Sequence, residues 1–128
     1  MFYRPLAPAL AIALAILGLY SIPGSELQNI SYWDLLQADK LAHSGVFALF
    51  TISLLVGFRR QTKYSGLRAR YKTIAIFVSL SYGAFLEYLQ SALIAERTGD
   101  ILDFIANGSG AFLGLLLFRL IYGAELTR

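Results

Sequence analysis

Four stretches of the chain are apolar and long enough to cross a bilayer, and the polar residues between them fall into groups of different sign. A spanning helix needs roughly 17–25 residues at ~1.5 Å each. The pattern therefore predicts helices over about residues 6–22, 41–58, 71–94 and 101–122. The first is apolar all round, while the third and fourth carry polar residues that must face protein or water, because lipid supplies no hydrogen bond. Pro23-Gly24 closes the first helix. Arg4 ahead of this run gives it the charge arrangement of a signal peptide, but Tyr20, Ile22 and Pro23 stand where a small-x-small cleavage site belongs. A retained helix is expected.

The connections set an orientation. Arg59, Arg60, Lys63, Arg68, Arg70 and Lys72 crowd the gap between the second and third helices without one acid, whereas Glu26, Asp34 and Asp39 mark the first gap and Glu96 and Asp100 the last. The basic gap is expected in the cytoplasm. Four crossings then put both termini there and both acidic loops outside. Within the first outer loop, Ser31 and Asp34 have the spacing of a capping box, followed by an aromatic, amphipathic run through Tyr32, Trp33, Leu35 and Leu36. A short interfacial helix is expected in this loop. The fold class is thus all-α, an integral membrane bundle forming a single domain over 1–128.

Composition supports lipid as the solvent. Of 128 residues, 57% are hydrophobic and only 15% charged, and the mean hydropathy is +0.60, too apolar for a water-soluble domain of this size. The net charge of +3 could suggest nucleic acid, but six of the eleven basic residues sit in the one basic gap, a topogenic pattern, so no nucleic-acid partner is expected. The absence of cysteine removes disulfides and thiolate metal sites. The single histidine, His43, removes multi-histidine metal motifs. Neither metal nor cofactor is expected.

The remaining polar residues gather at one end. Asp39, Lys40 and His43 open the second helix, Glu87 and Gln90 lie near the end of the third, Arg97 is in the last loop, and Asp100, Asp103 and Asn107 open the fourth. At ~1.5 Å per residue, His43 lies ~5 Å inside its helix end, Gln90 ~6 Å, and Glu87 and Asn107 ~10 Å. The spacings 39/43, 87/90 and 100/103/107 place each set on one helical face. Inward-turned, these faces form one pocket open to the outer surface.

Each residue also has a structural role open to it. Asp100 can cap the fourth helix, and Asp103 suits the positive end of its dipole. Asp39 and Lys40 can be ordinary interfacial charges. His43 can be a buried hydrogen-bonding residue, oriented by Asp39 one turn earlier. Asn107 can bond across to a neighbouring helix. Glu87 is hardest to assign this way, since a carboxylate at a helix centre in lipid costs about 2.5–3.5 kcal/mol and calls for Arg97, Lys40 or His43 as partner. Ala106, Gly110 and Gly114 form a small-residue line suited to close helix packing, and Gly83 is a similar weak point in the third helix.

In this order, Asp39-Lys40-Leu41-Ala42-His43, Glu87-Tyr88-Leu89-Gln90, and Arg97 followed by Asp103-Phe104-Ile105-Ala106-Asn107 with Gly110 and Gly114 resemble the DKxxH, ExxQ and R...DxxxNxxGxxxG pattern of VanZ-like membrane proteins. The resemblance runs from about residue 39 to 118 and makes Asp39, Lys40, His43, Glu87, Gln90, Arg97, Asp103 and Asn107 the family's polar positions. Asp100 departs from the small polar residue expected there. The family takes its name from a member associated with low-level resistance to teicoplanin, an agent acting on cell-wall precursors outside the membrane. The resemblance implies a multi-pass protein of the bacterial plasma (inner) membrane concerned with the envelope.

Two functions follow as expectations. One is a module that binds a membrane lipid headgroup or a lipid-linked envelope precursor, with Lys40 and Arg97 on the anionic group and Glu87, Gln90, Asp103 and Asn107 ordering the pocket. The other is an enzyme with His43 as base and Glu87 or Asp103 as acid on a lipid-linked substrate, although no nucleophile motif accompanies them. An ion carrier is disfavoured, because the cytoplasmic half of the helices lacks a chain of ionisable residues.

Overall fold

A computed structural model describes residues 4–21, 32–93 and 101–126; the side chains of residues 20, 32–40 and 124–126 lie outside the description. Among the described residues all regular secondary structure is helical, with no strand. A 3-10 turn at Arg4–Leu6 leads into α1 (Ala7–Tyr20), followed by α2 (Tyr32–Arg59), α3 (Ser65–Ala69), α4 (Tyr71–Leu93) and α5 (Ile101–Leu126).

Pro8 falls in the first turn of α1, where a missing N–H breaks no helical bond. The helix ends with the Ser21 hydroxyl donating to the Leu17 carbonyl at 2.7 Å. The sequence predicts separate helices either side of residue 40, yet the backbone is helical without interruption from Tyr32 to Arg59. The expected interfacial helix is therefore not a separate element over its described part, but the opening turns of α2. Nothing between Tyr32 and Leu41 breaks a helix, since Asp39 and Lys40 are charged but carry no Pro or Gly punctuation. The 28 residues of α2 span about 42 Å, against ~30 Å for a bilayer's hydrocarbon core. At the far end of α5, Gly123 takes φ 78° and breaks the helical path, one residue after the expected end at 122. The five-residue α3 inside the basic gap has no counterpart in the hydropathy pattern.

Packing follows a consistent register. Gly110 and Gly114 of α5 lie against Ser44 and Ala48 of α2, so equal steps along both helices keep them in contact and the two run parallel. Thr51 of α2 meets Ser79 of α4 through a buried 2.8 Å hydrogen bond, while Gly83 meets Phe47 four residues back; α4 is antiparallel to α2. α1 returns along the pair, with Leu6 against Gly57 and Ala13 accepting a 2.6 Å hydrogen bond from the Tyr82 hydroxyl. The most extensive contact is α2 on α5. The glycines explain it, since a methyl group at 114 would stand 2.6 Å from the Ala48 carbonyl oxygen.

The core is apolar, built on Phe47, Leu55, Leu86, Ile16 and Phe118, with Phe50 and Tyr82 rings 5.3 Å apart. Its surface is apolar too. Leu41, Phe77, Leu93, Ile101 and Leu120 are each over 70% exposed, while Thr51, Ser79, Gln90 and Asn107 are buried. Such a distribution suits a lipid surround and would be an aggregation hazard in water. Two helices, Leu41–Arg59 and Ile101–Gly123, are long and apolar enough to cross a membrane, and Arg4–Leu19 is a shorter apolar helix.

Candidate functional site

The register that packs the helices also stacks their polar residues in layers about one turn apart. His43 on α2, Glu87 on α4 and Asp103 on α5 form one layer: one donor atom from each lies within 4.8 Å of the others. One turn deeper, four residues on along α2 and α5 and four residues back along α4, come Phe47, Asn107 and Gly83. The missing side chain at 83 leaves room for Asn107, whose Cβ and Nδ2 would both stand 3.3 Å from a methyl group placed there. Beyond these lies the Thr51–Ser79 hydroxyl pair. The titratable layer is thus backed by an aromatic ring, an amide and then hydroxyls, a graded descent into the apolar core.

Burial is nearly complete. His43 is 5% exposed, Glu87 and Asp103 8%, and Gln90 and Asn107 1% each. Three titratable side chains from three helices therefore share a volume that excludes most water, where electrostatic interactions between them are stronger than at a surface. The arrangement permits proton sharing between imidazole and carboxylate, or joint ligation of a cation.

The structure brings five of the predicted site residues, His43, Glu87, Gln90, Asp103 and Asn107, to one end of the bundle and buries them. Asp39 and Lys40 occupy the α2 backbone one turn before His43, but their side chains lie outside the description. Arg97 and Asp100 also lie outside the described residues. Hydropathy gave no sign of the Thr51–Ser79 pair or of buried Gln61, since each sits in or beside an apolar run. A helical hydroxyl can bond to its own helix, so its sequence position alone does not mark a partner.

The opposite end has a different character. Arg59 lies 16 residues after His43, about 24 Å along the same helix. Its guanidinium stacks over the Tyr71 ring at 5.5 Å, and Tyr71 packs edge-on to Phe118 at 6.0 Å. A cleft of about 230 Å³ there is lined by Val56, Arg59, Arg60, Phe118 and Tyr122. Basic and aromatic groups at one end and a histidine–carboxylate layer at the other give the bundle two chemically distinct poles.

No curated protein and no solved structure matches the chain. The VanZ/LLP1 family model matches residues 9–122, a span that contains all four long helices in greater part and every residue of the buried layer. With its two apolar helices and apolar surface, the chain is a helical, membrane-associated protein, and it belongs to the VanZ/LLP1 family.

Proposed function

We propose that the protein crosses the bacterial plasma membrane four times, with both termini and the basic loop in the cytoplasm, and that its polar layer opens outward to bind the anionic headgroup of a lipid or lipid-linked envelope precursor. The observation that carries this reading is the burial of His43, Glu87, Gln90, Asp103 and Asn107 together at the end away from the basic loop. Burying so many polar groups is costly unless they serve one another or a ligand. The antiparallel passage of α1, α2 and α4, with α5 parallel to α2, fits alternate crossings of a bilayer. Lys40 and Arg97 supply positive charge for phosphate-type oxygens.

Mass spectrometry of protein purified in its native lipids tests the binding reading. A defined lipid should co-purify with the wild-type chain and be lost from the Lys40→Ala, Arg97→Ala double variant; unchanged occupancy refutes this pocket. A cysteine in place of exposed Ser65 tests the topology. It should resist an impermeant maleimide in intact cells, and labelling from outside overturns the orientation.

The approach of His43 to Glu87 and Asp103 within 4.8 Å also favours a second reading, acid–base catalysis on a lipid-linked ester or phosphoester. Purified protein should then turn over such a lipid and lose turnover in folded His43→Ala and Glu87→Gln. Retained turnover in both eliminates that acid and base.

A further inference from the structure

Three side chains of metal-ligating type, each from a different long helix, converge in the buried layer. The single histidine rules out multi-histidine sites but not a site of one histidine and two carboxylates, which only the fold can assemble from positions 43, 87 and 103. We propose that His43, Glu87 and Asp103 bind one divalent first-row transition-metal ion, Zn²⁺ or Mn²⁺, through one imidazole nitrogen and two carboxylate oxygens.

Geometry is the first support. Donors held ~2.1 Å from a common ion stand ~3.4 Å apart in a tetrahedron and at most ~4.2 Å apart when opposed. The donors here lie within 4.8 Å of one another, so rotamer adjustments of under about 1 Å bring all three onto one ion. Three helices fix the backbone from which they project, and Gly110 and Gly114 hold α5 against α2 closely enough for Asp103 to reach the His43 layer. Burial is the second support. All three side chains are more than nine-tenths buried, so an ion between them would be held by protein atoms where little water competes for it.

Donor chemistry narrows the ion. One nitrogen and two hard oxygens, with no sulfur anywhere in the chain other than that of Met1, match Zn²⁺ or Mn²⁺ and disfavour Cu⁺. Gln90 and Asn107, fully buried one turn from Glu87 and Asp103 on the same helices, are placed to orient the carboxylates or to complete the ligand set. Three protein ligands leave positions for water or an anionic oxygen. The inference goes beyond the proposed function, because ion binding requires no lipid and the lipid contacts of Lys40 and Arg97 require no ion.

The test uses the full chain in detergent, without a polyhistidine tag and stripped by chelator, titrated separately with Zn²⁺ and Mn²⁺. One ion per chain is expected, with affinity falling about tenfold or more in His43→Ala and in Asp103→Asn. X-ray absorption of the zinc-loaded wild-type protein should show one imidazole among oxygen ligands, a readout that needs no folded variant. Failure of both ions to bind, a spectrum without imidazole, or full affinity in both variants overturns the proposal. Lipid occupancy measured on the same samples keeps a failed metal site distinguishable from a failed lipid site.

Discussion

Replacing Gly110 by alanine introduces a single methyl group at the tightest glycine contact among the described residues. An ideal Cβ there stands 2.9 Å from both the carbonyl carbon and the Cα of Ser44, with the Ser44 carbonyl oxygen closer still. Backbone atoms cannot turn aside as a side chain can. Restoring ordinary carbon contact at ~3.5 Å requires α2 and α5 to part locally by at least about 0.6 Å. Overpacking of this kind costs about 1–3 kcal/mol, offset by up to ~1 kcal/mol from alanine's better helix propensity. The middle of the resulting range is a net loss of about 1–2 kcal/mol, a factor of roughly 5–30 in the folded-to-unfolded ratio. Gly45→Ala is the matched control, since its added methyl meets nothing within 4 Å and should leave stability unchanged or raised by up to ~1 kcal/mol. Unfolding in mixed detergent, titrated with dodecyl sulfate and followed by far-ultraviolet circular dichroism, measures both. Parting the helices also draws His43 from Asp103, so ion affinity should fall with stability in Gly110→Ala alone. Equal stability of the two variants, to within about 0.5 kcal/mol, refutes the close-packed α2–α5 seam.

Two further substitutions probe the polar links between helices. Tyr82→Phe removes the hydroxyl that donates to Ala13 and should cost about 1 kcal/mol, read as faster hydrogen exchange in α1 with α2 and α5 unchanged. Equal exchange in α1 would show that apolar contacts alone hold it. Thr51→Val keeps the shape of a buried side chain but deletes its bond to Ser79. The expected loss is roughly 0.6–1.7 kcal/mol by the same detergent titration, in line with interhelical hydrogen bonds in other bundles, and a stability gain would contradict it.

The sequence carries much of this architecture because, along the long helices, apolar side chains are tolerated at the surface while the sparse polar ones are drawn inside. Apolar runs mark the helices, and the sparse polar residues within them, Glu87, Gln90, Asp103 and Asn107, are all buried. Their depths could be placed by counting residues from the helix ends. The small-residue line at Gly110 and Gly114 also reads correctly as close packing. What counting along one helix leaves out is rotation and register between helices. That Asp103 shares a layer with His43 while Asn107 shares one with Phe47 depends on the parallel seam. A lone histidine in the sequence excludes multi-histidine motifs, whereas only the fold brings two carboxylates from distant segments within 4.8 Å of it. The junction near residue 40 was obscured for another reason: charged residues interrupt hydropathy without interrupting a helix, so α2 begins well before its apolar part.

The parallel seam between α2 and α5 imposes an order of assembly. Helices joined by a short turn come together antiparallel, so α2 and α5 can meet only after α4 has run back between them. Asp103 is the last member of the buried layer to leave the ribosome. A nascent chain that has reached Leu93 already carries His43 and Glu87 but not the acid that completes their layer, nor the glycine face that closes over them. Stalled or truncated products therefore lack the α5 surface that helps bury the Glu87 carboxylate and the His43 imidazole in the finished bundle.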